Sequence, residues 1–536
     1  MTIKNGTKKK FQKSIMEKGF YPDSLPTTFR VSNFHKFTEQ EGYFDKYVSV
    51  AKKPTSLTRY SETKRGGQRR IFSVPNPIFF IDAARYFGYY RSDIDQLYTS
   101  EISMSVPSFV PESKRAIKIA AFSKFTAERR KKLAASRFIV KTDISRYFPS
   151  IYTHAIPWAV HGKSAAKKDR NSASDTIHAN QLDFIVRQAQ DQQTVGIPVG
   201  PDTSRIISEI IGSAIDRHFL TRAGSDSNAI RLVDDVYIGA STHDEAESLL
   251  TLYRDSIREF ELDINENKTR VFSSKIDLEP FWPVGIRREL ESFINDKGDF
   301  SKHDLTTYLD EIIRLTNQQD DDGIIKYSIR KIDELGLWGS YWDELEPFLI
   351  RVAINFSHGF DYVANVIVWR DMIWGVDKNL WSKVCNEVVK YHAPLGNDSE
   401  VMWACWLLNE IDGELEDSLA KTILQRCSPL CSLMTVHLAE RSLITGSFSK
   451  KNVIQRIGSD PMVSSCWLLS YEAERLYGYR LREKNRASYP LFGEMIRFGV
   501  SFFEPDNPPS VFEEVEDVTE VSNALESDLS DYEDDL

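Results

Sequence analysis

A chain of 536 residues is longer than one ordinary domain of about 100–200 residues, and we expect about two to four domains. Its composition, 41% hydrophobic and 27% charged, is typical of a globular protein. No run of about 18 apolar residues occurs, so we expect no membrane-spanning segment and no membrane partner. The lysine-rich start, MTIKNGTKKKFQKS, has no apolar segment behind it, which argues against a secretory signal.

The net charge of -10 is unevenly distributed along the chain. Residues 1–150 contain 29 Lys and Arg against 13 Asp and Glu, whereas residues 512–536 contain 11 acidic residues and no basic one. Such a separation is typical of a protein that binds a polyanion and carries an acidic tail. A Lys-rich surface is often only solvated, so charge alone leaves nucleic-acid binding open.

Changes in composition predict four regions. Residues 1–64 form a basic N-terminal extension, and residues 65–288 alternate strand-like and helix-like segments, which predicts an α+β domain. Residues 289–505 have the helical periodicity of a bundle or solenoid, although no sequence repeat is visible. Residues 506–536 are acidic and rich in serine, and we expect them to be disordered.

The cysteines all lie in the predicted helical region, and their odd number indicates reduced thiols and a cytoplasmic protein. Cys427 and Cys431 could form part of a metal site with His437. Because they lie in apolar helical sequence, we prefer a packing role. The complete set is Cys385, Cys405, Cys427, Cys431 and Cys466.

The first segment that suggests chemistry, in chain order, is RGGQRRIFSVP at residues 65–75. Arg69 and Arg70 precede a predicted strand at residues 71–74. Both are suited to bind a triphosphate, because a guanidinium donates paired hydrogen bonds to phosphate oxygens. A solvated basic surface is the alternative.

The second segment is RFIVKTDISRYFPSI at residues 137–151. A predicted strand at residues 138–142 ends in Asp143, and an acid at a strand end can face a cleft beside the sheet. The chain then continues through Ile144 to Phe148. Taken by itself, Asp143 could equally cap a helix.

The third segment, VGIPVGP at residues 195–201, predicts a stiff loop because of its glycines and prolines. Gly196 and Pro198 can bring the backbone close to a template or an incoming base. We expect Asp202 or Thr203 to cap the helix that follows, whose apolar positions share one face. A plain junction between a loop and a helix is the alternative.

The fourth segment, IRLVDDVYIGAS at residues 230–241, predicts two short strands that meet at a tight turn. Asp234 and Asp235 lie at its tip, where adjacent carboxylates repel each other unless a cation neutralises them. With Asp143 they suit a pair of divalent ions, one activating a hydroxyl and one stabilising a leaving pyrophosphate. Alone, such an acidic pair is also typical of a polar turn.

The fifth segment is LDINENKTRVF at residues 262–272. It offers Lys268 as an acid that could protonate the leaving group. A solvated lysine is the alternative.

In this order, the five segments resemble the motifs of reverse transcriptases. RIFSVP resembles the finger segment that contacts the triphosphate, and DISRYF resembles palm motif A. GIPVGP resembles motif B, RLVDD motif C and LDINENKT motif D. The resemblance spans about residues 65–275. It implies a fingers and palm domain that takes dNTPs as substrates, with Mg²⁺ or Mn²⁺ at Asp143, Asp234 and Asp235.

The resemblance also assigns residues to the nucleotide. Phe148 matches the aromatic steric gate of motif A, which implies the use of deoxynucleotides. Ile144 in motif A, with Gly196 and Pro198 in motif B, is implied to contact the nucleotide as well.

Two positions depart from the family pattern. Leu232 stands where an aromatic residue usually precedes the motif C acids, and Val195 stands where a glutamine usually opens motif B. We expect both departures to affect template handling more than chemistry.

A narrower resemblance is to the abortive-infection reverse transcriptases of AbiK type, which are bacterial antiphage proteins. It rests on YTHAIPW, HGKSAAKKDR, VGIPVG and SRIISE, and on the helical character after about residue 290. This resemblance implies an all-α, HEAT-like repeat domain, a homo-oligomer (trimer or hexamer) and template-independent synthesis primed by a protein tyrosine. The product would be single-stranded DNA attached to the protein.

A primer tyrosine must be mobile and able to reach the metals. We rank Tyr21 first, because the turn-prone segment PDSLP follows it. Tyr43 and Tyr47 come next; they are four residues apart and can share one helix face, where packing is the alternative. Tyr60 is a further candidate.

Two alternative functions are compatible with these motifs. One is an ordinary RNA-templated reverse transcriptase of retron or intron type. The other is an inactive palm domain that serves as a nucleic-acid-binding scaffold. The intact acids argue against the scaffold, which needs no carboxylates facing phosphates.

Overall fold

The computed structural model describes residues 5–40, 53–111, 113–225, 227–275, 282–292, 301–479 and 490–507. The candidates Tyr43 and Tyr47 lie outside these ranges, as does the predicted acidic tail beyond residue 507. Within the described ranges, no helix is both long enough and apolar enough to cross a bilayer.

The N-terminal residues belong to the core of the protein. Helix α1 (Asn5–Glu17) leads into Phe20, whose ring is fully buried. Phe20 packs edge-on against Trp467, with 6.2 Å between the ring centroids, and lies 5.2 Å from the ring of Phe502. The aromatic residues of the predicted N-terminal extension, residues 1–64, are thus buried against the end of the helical region, and the division of the chain at residue 64 stays a prediction.

An antiparallel hairpin follows, formed by β1 (Thr58–Thr63) and β2 (Arg69–Val74). The chain reverses through Gly66 and Gly67, whose φ angles of 73° and 69° lie in the left-handed region that favours glycine. The strand predicted after Arg70 is confirmed as part of β2. The predicted domain boundary between residues 64 and 65 falls inside this hairpin.

A four-stranded antiparallel sheet lies at the centre of the first half. Its apolar residues alternate, so that Ile139 and Tyr237 face one side while Val140 and Val236 face the larger core on the other. The sheet order is β6-β7-β5-β8, with strands β5 (Phe138–Asp143), β6 (Ala229–Leu232), β7 (Asp235–Ala240) and β8 (Arg270–Ser273). A separate pair is formed by β3 (Ser108–Phe109) and β4 (Ile117–Lys118).

Helices surround this sheet and complete the first half. The longest of them is α10 (Asp202–Ala223), whose buried residues include Ile206, Ile210 and Ile211 as well as the charged Glu209 and Asp216. These helices are α2 (Phe34–Thr38), α3 (Pro77–Tyr89), α4 (Arg91–Asp95), α5 (Phe122–Leu133), α6 (Tyr147–Ser150), α7 (Ala155–His161), α8 (Lys163–Lys168), α9 (Ala179–Ala189), α10 (Asp202–Ala223) and α11 (His243–Arg258).

The second half is built from successive helices, as its periodicity predicts. A two-residue parallel strand pair, β9 (Leu415–Glu416) with β10 (Ile444–Thr445), interrupts them. The helices are α12 (Trp282–Ser292), α13 (Lys302–Gln319), α14 (Gly323–Glu334), α15 (Trp342–Asn355), α16 (Phe360–Trp374), α17 (Lys378–His392), α18 (Asp398–Glu410), α19 (Asp417–Arg426), α20 (Pro429–Glu440), α21 (Lys450–Ile457), α22 (Trp467–Tyr477) and α23 (Pro490–Phe498).

Candidate active site

Three carboxylates meet at one edge of the central sheet. Asp143 is the last residue of β5 and pairs in register with Asp235, the first residue of β7. Antiparallel partners have Cα atoms about 4.5–5.5 Å apart, so these two side chains are neighbours. Asp234 lies in the turn between β6 and β7, where Ile144 N–H donates to its backbone oxygen. The predicted pair of strands with the acidic residues at their tip is confirmed.

The three acids disfavour one another's charge. Burial raises the pKa of Asp234 to about 7, and the carboxylates of Asp235 and Asp143 raise it as well. Burial also raises the pKa of Asp235, which the ammonium of Lys268 opposes. One oxygen of Asp143, Oδ1, is buried without a hydrogen-bond partner. Such a cluster of repelling, underbonded oxygens favours a cation as its partner.

Lys268 provides one cation at this edge. The backbone N–H of Asn265 donates to the carbonyl of Asp143 over 2.8 Å and brings the loop that carries Lys268 to the sheet. Lys268 Nζ then donates to Asp143 Oδ2 over 2.6 Å. Although burial lowers it, the hydrogen bond with Asp143 raises the pKa of Lys268 overall. The side chain is therefore protonated beside the carboxylates, and its role as a proton donor to the leaving group stays a prediction.

The donor set fits divalent metal ions, since hard cations prefer carboxylate oxygens. Asp143, Asp234 and Asp235 would hold the ions, which activate a hydroxyl and neutralise phosphate charge when bound. In the part of the chain that the structure describes, no group of three or more His, Cys, Asp or Glu side chains is placed so that it could hold a metal ion without rearrangement. Asp143 is bound to Lys268 instead.

The turn that carries the acids has a strained backbone. Val233 has a φ of 53°, which is costly for a β-branched residue. Both polar groups of its backbone are hydrogen-bonded. Val233 N–H donates to Ser105 Oγ, and Arg231 Nη1 donates to Val233 O over 2.9 Å. These two bonds position the turn directly before Asp234.

Arg231 is itself fixed by a buried ion network. Its guanidinium is fully buried and donates to Glu209 over 3.0 Å and to Asp216 over 2.8 Å. Gly212 of α10 leaves room for it, because a Cβ there would lie 2.7 Å from Arg231 Nη1. The pattern of the sequence did not reveal this network, since its members are separated by 15 to 22 positions.

Lys64, which the sequence analysis missed, is a second cation near the acids. Burial lowers the pKa of Lys64 to about 8, and the neighbouring Arg70 lowers it too, whereas Asp234 and Asp235 raise it. Lys64 therefore lies within electrostatic reach of Asp234 and Asp235, together with Lys268. The strand-like alternation of TRYSET was the available signal, because it predicts a hairpin whose tip carries Lys64 next to Arg70.

Arg69 does not face the candidate site. Its Nη1 donates to the buried carboxylate of Glu400 over 2.6 Å, and its Nη2 donates to the backbone oxygen of Ser61. The predicted triphosphate contact by Arg69 is therefore wrong. Neighbouring residues of a strand point to opposite faces, so Arg69 and Arg70 cannot serve the same side.

The loop that resembles motif B packs directly against Phe148. Gly196 has a φ of 89°, and a Cβ at this position would lie 3.1 Å from the backbone oxygen of Pro149. Ile197 N–H donates to Phe148 O over 2.9 Å. Phe148 and Pro198 are both partly exposed, which fits the predicted contacts with a nucleotide.

The side chain of Ile144 is buried, and its backbone N–H donates to Asp234 O, so its contact with a nucleotide stays a prediction that only its backbone could fulfil. The predicted cap of α10 is wrong. Neither Asp202 nor Thr203 caps α10, since the N-cap position is occupied by Pro201. Asp202 pairs with Arg115 instead, and Arg115 also donates to Gly200 O over 2.9 Å, which supports the loop.

The expected exposure of the primer candidate Tyr21 is wrong. Tyr21 is 7% exposed, and its hydroxyl donates to the backbone oxygen of Phe502 over 2.7 Å. Burial raises the pKa of Tyr21 far above its ordinary value. Tyr60 is fully buried as well. A residue held in the core in this way cannot swing to the carboxylates as a primer must.

Comparison with solved structures finds several telomerase chains. Apo telomerase from Candida tropicalis, truncated from its C-terminal domain, is 15% identical, with a TM-score of 0.28, and the match covers 44% of this chain and 55% of that one. Telomerase from the same yeast with a TWJ fragment of telomeric RNA is 12% identical over 62% of this chain and 65% of that one, at a TM-score of 0.25. The Candida albicans telomerase with that RNA fragment is 12% identical over 72% and 65%, at a TM-score of 0.25.

This chain therefore spans between 55% and 65% of the length of these telomerase chains. A comparison with curated proteins gives no match. The family model of the reverse transcriptase (RNA-dependent DNA polymerase) matches residues 93–309, which include Asp143, Asp234 and Asp235. Residues 93–309 are thus a reverse-transcriptase domain, which indicates a nucleotidyltransferase of the reverse transcriptase family.

Proposed function

We propose that this chain is a DNA polymerase of bacterial antiphage defence that joins dNTPs at a pair of divalent ions, Mg²⁺ or Mn²⁺. The observation that carries the proposal is the meeting of Asp143, Asp234 and Asp235 at one sheet edge. Lys268 and Lys64 lie beside them as protonated or partly protonated amines. Acids for the metals and cations for the phosphates are the two requirements of nucleotidyl transfer.

Each residue of the site has a separate role in the proposed nucleotidyl transfer. An attacking hydroxyl oxygen bonds to the α-phosphorus of the dNTP while the bond to pyrophosphate breaks, and the hydroxyl loses its proton. Lys268 donates a proton to the leaving pyrophosphate oxygen. Lys64 and Arg70 bind the triphosphate, and Phe148 excludes a ribose 2′-hydroxyl. The metal ions supply charge neutralisation and activate the hydroxyl when bound.

The finer part of the proposal rests on the resemblance to AbiK-type proteins. We propose template-independent synthesis, priming by a protein tyrosine and a single-stranded DNA product that stays covalently attached. Leu232 and Val195 support unusual template handling, since both replace residues that the family uses next to the primer and template. A HEAT-like repeat in the helical region, a trimeric or hexameric assembly, a cytoplasmic location and a role in abortive infection belong to the same proposal.

One experiment tests the core of this function. Purified protein is incubated with each labelled dNTP and Mg²⁺ without nucleic acid, and the products are run on a denaturing gel before and after protease digestion. We expect label that migrates with the protein and is released as DNA by protease. Incorporation only when an RNA template is added, with product free of protein, would instead support the RNA-templated alternative. No incorporation under any condition would support the scaffold.

A further inference from the structure

The hairpin of β1 and β2 is bonded along its outer edge to the helical region. Ser61 N–H donates to Asp398 Oδ2 over 2.8 Å, and Thr63 N–H donates to Ser399 Oγ over 3.2 Å. The first residues of α18 thereby take the place of a neighbouring strand along the edge of β1.

Glu400 is the centre of this contact. Its side chain is 2% exposed, and it accepts hydrogen bonds from Arg69 Nη1 and from the hydroxyl groups of Thr63 and Ser399. A buried carboxylate is tolerated only when its charge is paired and its oxygens are bonded. The ion pair with Glu400 therefore fixes Arg69, and with it β2, in one position against the helical region.

The hairpin is also held at its two ends. At the tip, Arg65 pairs with Asp321, and Gly66 N–H donates to Asp322 Oδ1 over 2.9 Å. At the base, Thr58 Oγ1 donates to the backbone oxygen of Ser465 over 2.6 Å. Three separate parts of the helical region thus contact one short hairpin.

The other edge of the hairpin, that of β2, faces the loop that resembles motif B. Lys64 lies within the field of Asp234 and Asp235, and Ser73 N–H donates to Val199 O of the motif B loop over 2.9 Å. A two-stranded hairpin by itself is marginally stable, so its position depends on what its edges contact. The contacts along the outer edge therefore fix the positions of Lys64 and Arg70 relative to Asp234 and Asp235.

We infer that the helical region is part of the nucleotide-binding apparatus, and that Glu400 is a positioning residue that holds the hairpin, with Lys64 and Arg70, against the site of the triphosphate. The identity of the ligand as a dNTP rests on the proposed function. Glu400 contacts the hairpin through Arg69 and Thr63, so it acts by positioning Lys64 and Arg70 rather than by binding the nucleotide itself.

The test compares full-length Glu400→Gln with wild type. The amide keeps the size of the side chain but removes the charge that pairs with Arg69. We expect the KM for dNTP to rise about tenfold, in line with the loss of one charged hydrogen bond, while kcat changes less than about twofold. Arg69→Gln should have a similar effect, and the double variant should be no worse than either single one, because both act on one contact.

A matched control is Glu387→Gln, which removes an acid from an exposed pair with Lys390 in the same region. It should leave KM unchanged. A fall in kcat without a change in KM for Glu400→Gln would mean that the variant only loses folded protein, and it would overturn the proposal.

Hydrogen exchange gives a reading that does not need catalysis. In Glu400→Gln, amides of residues 58–74 should exchange at least about tenfold faster, while those of the central sheet keep their wild-type rates. If Glu400→Gln does not fold, Asp322→Ala at the tip takes its place. Unchanged exchange in the hairpin would overturn the inference. The two proposals can fail separately. If wild type incorporates no dNTP while the hairpin of Glu400→Gln still exchanges faster, the polymerase function is refuted and the contact through Glu400 is supported.

Discussion

The guanidinium of Arg231 donates a hydrogen bond from Nη1 to the backbone oxygen of Val233, and Val233 has a φ of 53°. A charged group thus holds a strained valine immediately before the two acids of motif C. The charge of Arg231 is balanced by Glu209 and Asp216, which are buried with it. The turn before Asp234 is thus bonded to buried charged residues of β6 and α10.

Arg231→Met should damage both stability and activity. It leaves two buried carboxylates without their partner, which costs about 3–5 kcal/mol of unfolding free energy. Activity of the remaining folded protein should fall roughly 100-fold, because the acids lose their position. Val233→Asn, which tolerates a positive φ, should restore part of the activity in the Arg231→Met background. Denaturant titration and dNTP incorporation measure the two effects, and a fully active Arg231→Met variant would contradict this role.

The double replacement Asp234→Asn and Asp235→Asn should abolish incorporation without unfolding the protein. Two repelling carboxylates with raised pKa values become neutral amides, so the Tm in EDTA should equal or exceed that of wild type. Addition of Mg²⁺ should raise the Tm of wild type and leave that of the variant unchanged. A folded variant that still incorporates dNTPs would refute the assignment of these acids.

Phe148→Ala should relax the choice of sugar. Phe148 is partly exposed beside the motif B loop, where it can crowd a 2′-hydroxyl. We expect the preference for dNTP over NTP, measured as a ratio of kcat/KM values, to fall by at least about tenfold. Phe138→Ala, a partly buried phenylalanine at the opposite end of β5, is the control. Retention of the wild-type ratio would show that Phe148 is not the gate.

His437 should make stability fall at acidic pH. Burial and, to a smaller extent, the charge of Arg441 lower the pKa of His437 to about 4, and its Nδ1 forms a hydrogen bond with the hydroxyl of Tyr477. The folded pKa is below the ordinary value of about 6.5, so the stabilisation is complete above that pH and is lost as the pH falls toward 4. At pH 5 the loss should be about 2 kcal/mol.

Denaturant titrations at pH 7.5 and pH 5 measure this effect. Other histidines also contribute to the pH dependence of wild type, so the comparison is with His437→Phe. The difference in unfolding free energy between the two pH values should be smaller in that variant by about 2 kcal/mol. Equal differences in both proteins would contradict a neutral, buried His437.

Attachment of DNA should not require the hydroxyl of Tyr21. Because Tyr21 is bonded to Phe502 in the core, Tyr21→Phe should still yield a DNA–protein adduct. Tyr43→Phe or Tyr47→Phe should lose it if either residue is the primer. Mass spectrometry of protease-digested, nuclease-trimmed protein locates the modified peptide. An adduct on Tyr21 itself would contradict the burial found here.

The sequence by itself determined the elements that carry the site. Alternating apolar residues around Asp143 and around the Asp234–Asp235 pair predict strands that end at carboxylates, and the structure has these strands in adjacent register. Helical periodicity likewise predicted the character of the second half. These features are local, since strand and helix patterns repeat every two and about 3.6 residues.

The tertiary structure alone decided which charged residues reach the site. Arg69 and Arg70 are equivalent in the sequence, yet Arg69 is taken by Glu400, which is 331 positions away. Tyr21 precedes a turn-prone segment, yet it is buried against Phe20 and Phe29, and its hydroxyl donates to the backbone oxygen of Phe502. Whether a charge is paired or a ring is buried depends on contacts between residues far apart in the sequence. The periodicity of a strand or helix covers only neighbouring residues and therefore cannot predict such contacts.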